Sequence, residues 1–303
     1  MKRVLIALGG NALIKEGQRG EFKEQKKNIQ KTTEKIALLI RKGYSVVITH
    51  GNGPQVGNLE MQMICAKEIP KMPLDVEDAM TQGQIGYLIQ KSLGNVIPEK
   101  EMVTLITEIE VNKNDSAFKN PSKPIGPFYS KQKISELKIK NFIEDSGRGY
   151  RKVVASPEPK RVIQLNTIKQ LIQKGKVVIC CGGGGIPVIK KGTKRKGVEA
   201  VIDKDKASQL LANSLGIKEL VILTDVEFVY LNYKKKNQKK IRKIKIKELK
   251  ELLKKGEFPR GSMKPKIEAC VKFIEKGGKK AVITSLEKLL PAMQGKTGTE
   301  ITK

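Results

Sequence analysis

The sequence predicts an α/β fold in which a mostly parallel sheet is covered by helices on both faces. Three observations lead there. Apolar runs of four to eight residues alternate with longer stretches of helical period through most of the chain. The runs are continuous rather than alternating, the pattern of strands buried on both faces. Several of them pass directly into glycine-rich or polar loops, "GGNAL", "HGNGPQVG", "GGGGIP" and "TDV", and open α/β sheets hold their ligands outside the carboxyl ends of their strands.

Taken in order, "RVLIAL" (Arg3–Leu8) is a first strand, followed by a glycine loop and a helix over Gln25–Lys42. "SVVIT" (Ser45–Thr49) is a second, closed by a Gly/Asn/Pro loop, with helical material continuing through Asn95. "MVTLIT" (Met102–Thr107), "KVVICC" (Lys176–Cys181), "LVILT" (Leu220–Thr224) and "AVIT" (Ala281–Thr284) have the same character. Asp203 and Ser262 stand where N-caps would open two further helices, and the lysine-rich stretch Lys234–Lys255 ends in an amphipathic one. Residues Asn112–Tyr150 break the rhythm: they are rich in Pro, Lys and Asn, without clear α/β alternation. So long an irregular segment inside a compact domain is commonly a lid or a functional insertion. Neither an internal repeat nor a low-complexity linker is present. The expectation is one domain over residues 1–303 with a protrusion inserted at about 112–150.

Composition narrows the class. With 39% apolar and 30% charged residues the chain reads as a soluble globular protein. "MKRVLIALGG" is too short an apolar run for a secretory signal, and no segment is long enough to span a bilayer, so a cytoplasmic location without a membrane partner is expected. Cys65, Cys180, Cys181 and Cys270 form no CxxC or Cys/His cluster, which argues for buried free thiols and against a protein-held metal. The formal charge of +29 invites a nucleic-acid reading. Against it, lysine supplies 51 of the 60 cationic side chains, tryptophan is absent and aromatics make up 4%. Base-edge forks and stacking platforms are therefore poorly supplied, and the 234–255 stretch is read as a solvated surface.

The strand-end loops carry the chemistry. Gly9 and Gly10 precede a helix and can turn amides toward an anion, although a plain tight turn is an equal reading. In "THGNGPQVG", His50 is the single histidine; it is either a loop residue or a base, while Gly51, Asn52 and Gly53 expose amides suited to a small anionic ligand. "VIDKDKAS" sets Lys204 and Asp205 at a helix start, where an aspartate can hold a lysine in position. "GSMKPK" brings Lys264 and Lys266 to another helix head, as a capping segment or a phosphate clamp. Four glycines in "ICCGGGGIPV" imply close approach to the backbone, by a phosphate, by a substrate, or simply in a flexible turn. Neither GxxxxGK[ST] nor a GxGxxG after the first strand occurs.

Together these segments resemble the carbamate kinases of the amino acid kinase family. The resemblance rests on "ALGGNAL", "SVVITHGNGPQVGN", "AMTQGQIGYLIQ", "NPSKPIGPFY", "GRGYRKVVASPEP", "CGGGGIPV", "GVEAVIDKDKAS" and "GSMKPKIEA", in family order across essentially the whole chain. It implies a three-layer αβα sandwich with a small protruding subdomain, a homodimer, and reversible phosphoryl transfer between ATP and carbamate with Mg²⁺, run toward ATP in arginine breakdown. It further implies a catalytic set of Lys123, Lys204, Asp205 and Lys266. In that set Lys266 contacts the nucleotide phosphates, Asp205 orients the active-site lysines, and Lys123 reaches in from the protrusion, with Lys131 a weaker rival. Asp225, Tyr230, Ser262 and Met263 would line the nucleotide side. Gly9, Gly10 and Asn11 would hold phosphate oxygens, and Gly183 and Gly184 would belong to the acceptor floor. A sister kinase with another small acceptor, or a catalytically silent nucleotide- or nucleic-acid-binding protein, are the alternatives.

Overall fold

The six apolar runs become six neighbouring parallel strands of one sheet. The computed structural model describes residues 2–15, 17–66, 68–137, 141–144, 149–258 and 263–303. The chain opens with β1 (Lys2–Leu8), α1 (Phe22–Arg41), β2 (Tyr44–His50), α2 (Gly53–Cys65), α3 (Leu74–Val96), β3 (Met102–Thr104) and β4 (Glu108–Val111). It continues through β5 (Lys123–Tyr129), α4 (Lys131–Leu137), β6 (Phe142–Glu144), β7 (Tyr150–Val154), β8 (Pro159–Val162), α5 (Leu165–Gln173) and β9 (Val177–Ile179). Next come β10 (Ile186–Lys191), β11 (Lys194–Gly197), α6 (Lys204–Ser214), β12 (Glu219–Thr224), β13 (Val229–Leu231), β14 (Lys239–Ile241) and β15 (Lys243–Lys245). The last elements are α7 (Ile246–Lys254), α8 (Met263–Glu275), β16 (Lys280–Ser285), α9 (Leu289–Met293) and β17 (Thr299–Thr302).

The main sheet has the order β15-β17-β16-β12-β1-β2-β9-β3. The strands from β16 to β3 all run parallel, while β17 and β15 run the other way at one edge. Side chains alternate across a strand, and β1 shows it. Val4, Ile6 and Leu8 enter a core with α1, α3 and α9, whereas Leu5 and Ala7 enter a second core with α5, α6, α7 and α8. Both cores are fully buried around β1. The result is the expected three-layer αβα sandwich. Among the described residues, no helix is long and apolar enough to cross a membrane.

Three departures from the sequence reading have local causes. The run Met102–Thr107 leaves the sheet after Thr104, because Gln82 captures the Thr107 amide at 2.8 Å and turns the chain into β4. β4 belongs to a second sheet, β11-β10-β4-β8, which the sequence pattern did not announce. Cys180, Cys181 and Cys270 are buried free thiols as expected, but Cys65, at the end of α2, is exposed.

Within the irregular segment and just beyond it, β5, β7 and β6 form a small antiparallel sheet. It docks on the body through Val56 of α2, Leu74 of α3, Ile125, Val154 and Val201, which make a separate small core. The backbones touch: a Cβ on Gly57 of α2 would lie 1.9 Å from the Gly126 nitrogen. Any side chain at position 57 would push the protrusion away.

Candidate active site

The loops after β12, β1, β2 and β9 lie side by side, because those strands are consecutive neighbours in the sheet. All four open at carboxyl ends, so Asp225, Gly9–Asn11, Gly51–Gly53 and Gly182–Gly185 share one edge. Asn11 sits in a single turn of 3₁₀ helix, Gly10–Ala12, directly after β1. A cleft of about 270 Å³ beside Gly9 is lined by Ala12, Lys15, Leu223, Thr224, Asp225, Leu286 and Glu287. Gly9 is there because a Cβ would meet the Leu223 carbonyl oxygen at 2.7 Å. At Gly10 the corresponding space is open.

The glycine run after β9 has a definite purpose. Gly183, Gly184 and Gly185 all have positive φ, as does Cys181, so the turn is left-handed through most of its length. A Cβ at Gly182 would lie 2.4 Å from His50 Nε2, at Gly183 2.3 Å from the Asn52 amide nitrogen, and at Gly184 2.2 Å from the Ile202 carbonyl oxygen. The closeness inferred from sequence is thus closeness to the protein's own groups. The bare turn lets His50 and Asn52 pack beneath it.

Those two residues are held inward. His50 is buried, and its Nδ1–H donates to the Gly51 carbonyl at 3.0 Å. Burial chiefly, with the Lys204 charge adding to it, lowers its pKa to about 4, against a weaker opposing effect of that hydrogen bond. The ring is neutral at pH 7. The Asn52 amide donates to Asp78 Oδ1 at 2.9 Å and to Thr81 Oγ1 at 3.0 Å, both on α3. Gln82, one turn on from Asp78, donates to the Gly182 carbonyl at 3.0 Å. Asp78, Thr81 and Gln82 are site supports that sequence reading passed over. The signal was available in "DAMTQGQIGYLIQ" (Asp78–Gln90), where Asp78, Thr81 and Gln82 share one helix face with the buried Ile85 and Ile89.

Charge converges at the start of α6. Asp203 caps the helix, its Oδ1 accepting from the Asp205 amide at 2.9 Å and the Lys206 amide at 3.3 Å. Its other oxygen receives Lys123 Nζ at 2.5 Å, from the first residue of β5. Capping, the bland reading of Asp203, therefore leaves a second oxygen free to pair with the protrusion's lysine. Asp205 stands between two more lysines: Oδ1 accepts from Lys204, and Oδ2 lies 3.4 Å from Lys266 of α8. The Lys204 side chain runs alongside Gly51, with Cδ 3.5 Å and Cε 3.8 Å from where a Cβ would be. Three lysines face two carboxylates, for a net charge of +1 at the amino end of a helix whose dipole adds to it.

Burial and pairing set the ionisation there. Burial opposes the charge on Asp203, but Lys123 above all, with Lys204 and Lys266, holds the carboxyl below its usual range. Asp205 follows the same balance, with Lys204 and Lys266 outweighing its desolvation. Lys204 is pushed down, because its burial and the nearby Lys266 exceed what Asp205 returns. Lys266 is also buried, yet Asp205, Asp203 and Asp225 together raise it. An already paired cationic pocket of this kind stabilises oxyanions without reorganising.

Geometry separates the rival lysines. Lys264 points away to Glu268, 3.8 Å along the helix, and Lys131 is exposed at the start of α4. Asp225 is exposed at the cleft, and Met263 begins α8 partly buried against the core. Tyr230 lies on β13, half-buried between Phe228 and Tyr233 at ring-centroid distances of 6.3 and 6.0 Å. Ser262 falls outside the described residues.

Comparison with known proteins agrees with this architecture. The Amino acid kinase family model matches residues 2–285, and the chain belongs to that family. Within it, the chain is 49% identical to a carbamate kinase of Pyrococcus furiosus over 99% of both chains. It is 48% identical to a carbamate kinase of Staphylococcus haemolyticus over 100% of both. The carbamate kinase of Giardia lamblia bound to AMP-PNP superposes with a TM-score of 0.91 at 42% identity, covering 100% of this chain and 98% of that one.

Proposed function

We propose that the protein catalyses reversible phosphoryl transfer between ATP and carbamate, giving ADP and carbamoyl phosphate. The observation that carries the reading is the cluster of Lys123, Lys204 and Lys266 on Asp203 and Asp205, assembled beside the amides of Gly9–Asn11 and Gly51–Gly53. Carbamate is already an anion with a nucleophilic oxygen, so a general base is not required, and neutral, buried His50 is consistent with that. What the reaction needs is in-line placement and neutralisation of charge on the moving phosphoryl group. Gly9, Gly10 and Asn11 offer amides for phosphate oxygens. Lys204, running beside Gly51 to Asp205, would meet the oxygens between donor and acceptor. Lys266 would hold the nucleotide phosphates, and Lys123 would close on the transferred group from the protrusion. Asp203 and Asp205 keep these ammonium groups in place. Gly183 and Gly184 would form the acceptor floor, with His50 and Asn52 packed against the turn.

The nucleotide would enter by the cleft along Gly9 and Asp225, with Tyr230 and Met263 on its flank. The AMP-PNP complex of the Giardia lamblia relative supports a nucleotide as a ligand of the protein. Both central carboxylates are engaged by lysines, and no group of metal-binding side chains occurs among the described residues. Mg²⁺ accordingly fits as part of the nucleotide substrate, carried on its phosphates. A homodimer is part of the same reading. Val76, Met80 and Tyr87, exposed at intervals of four and seven residues along α3, form an apolar stripe that a second copy would cover. Cytoplasmic ATP formation at the end of arginine breakdown is the physiological assignment proposed. Lys123→Ala and Lys266→Ala test the site: each should lower turnover about 10²- to 10³-fold while the protein remains folded. Unchanged turnover in both would remove the assignment.

A further inference from the structure

We infer that Glu60 positions the protruding sheet, and through it Lys123, by latching Lys152 to α2. The inference rests on the proposed role of Lys123 in phosphoryl transfer.

Glu60 lies two turns into α2, just past the strand-end loop that carries Asn52. Its side chain is 3% exposed, and a carboxylate so buried is costly unless paired. Two cations pair with it. Oε1 accepts from Lys152 of β7, and Oε2 lies 2.6 Å from Lys71 in the connection to α3. Burial disfavours the charge on Glu60, but Lys152 and Lys71 outweigh it and hold the carboxyl below its usual range. Glu77, fully buried on the adjacent α3, behaves oppositely: burial and the Glu60 charge push it up to about 8. At neutral pH Glu60 is therefore the anion of the pair.

The register explains what the latch controls. Lys152 stands opposite Ile125, and Val154 stands opposite Lys123, in the β5–β7 ladder. Alternation places Lys123, Ile125, Lys152 and Val154 on one face of the small sheet. That face is the docking face. Ile125 and Val154 fill its five-residue apolar core, Lys123 pairs with Asp203 at one end, and Lys152 pairs with Glu60 at the other. Glu60 touches no reacting group. It is a positioning residue: without it, Lys152 regains hydration by lifting its end of the sheet off α2, and Lys123 on the neighbouring strand moves with it.

The test uses the full-length protein with Glu60→Gln, Lys152→Met, Lys152→Arg and Lys123→Ala. Three quantities are read: kcat/KM for carbamoyl phosphate, Kd for ADP by calorimetry, and amide exchange in residues 123–129 and 150–154. Glu60→Gln and Lys152→Met should each lower kcat/KM about 10- to 100-fold, through a smaller fraction of docked protrusion. The double variant should be no worse than either single one, and Lys152→Arg should retain most activity. ADP affinity should stay within about threefold, since the nucleotide cleft is built by other strands, while exchange rises in the small sheet but not in β1. Added to Lys123→Ala, Glu60→Gln should cost less than about a further twofold. Parental exchange in the small sheet, losses that add in full to Lys123→Ala, or ADP affinity falling along with turnover would overturn the latch. If the parent protein makes no ATP, the functional reading fails by itself, and the exchange measurement alone then decides the latch.

Discussion

Replacing Asp205 by Asn removes the shared counter-charge of Lys204 and Lys266 with almost no change of shape. The Asp205 side chain is 3% exposed, and the two lysine side chains are 11% and 15% exposed. Breaking a buried pair by deleting one partner costs about 3–5 kcal/mol, since the remaining charge is stranded out of water. For a chain of this size that corresponds to a melting temperature lower by roughly 6–10 °C. The pH dependence gives a sharper signature. Lys204 is already pushed below its ordinary value in the parent, chiefly by burial, and losing Asp205 pushes it lower. The unfolded chain then binds more protons than the native one, so the stability of Asp205→Asn rises with pH. On the acid side, Asp205 has a depressed pKa; its contribution is present above the ordinary carboxylate pKa and is lost as pH falls through the folded value. Denaturant melts at pH 5, 7 and 9.5 should show a gap from the parent that is at least as large at pH 5 as at pH 7 and narrower at pH 9.5, where Lys204 loses its charge. A loss under about 1 kcal/mol at pH 7, with no narrowing toward pH 9.5, would refute the electrostatic reasoning.

Gly184→Ala should fail to fold or lose roughly 2–6 kcal/mol, combining a φ of +98° with a Cβ 2.2 Å from the Ile202 carbonyl. Gly10→Ala meets nothing within 4 Å; its melting temperature should stay within about 2 °C of the parent, while kcat/KM falls at least about tenfold as the methyl enters the phosphate site. Because His50 is held near 4, the profile of kcat against pH should show no inflection near 6.5. The same depressed value means that stability is lost as pH falls from 6.5 toward 4, and His50→Asn should flatten that part of a pH–stability curve. Lys264→Ala, on the outer face of α8, should keep kcat/KM within about twofold of the parent, in contrast to Lys266→Ala; equal losses in the two would show that the helix head, rather than one lysine, supplies the charge.

Much of this fold was legible because its central strands are buried on both faces. "RVLIAL", "SVVIT", "KVVICC", "LVILT" and "AVIT" carry no polar alternation, and a parallel sheet is where such runs belong. Asp203 read correctly as an N-cap because capping is local. The second sheet was hidden: its edge strand β11 is "KRKG" and its neighbour β10 ends in "KK", and exposed lysine-rich segments look like loop. The role of the glycine run was half legible. Four glycines demanded close approach, but only the fold shows that His50, Asn52 and Ile202 are what approaches. Glu60 gave no signal, since an isolated acidic residue on a helix is ordinarily solvated. Its burial comes from the protrusion folding back over α2, a contact between segments some ninety residues apart in sequence.

The central claim is tested most directly by incubating the purified protein with ADP, Mg²⁺ and carbamoyl phosphate and following ATP, with acetyl phosphate and N-acetylglutamyl phosphate as competing donors. ATP should form from carbamoyl phosphate, with at least about a hundredfold lower kcat/KM for the larger donor, since the proposed acceptor is carbamate alone. ADP binding without ATP formation, or equal use of the larger donor, would contradict it.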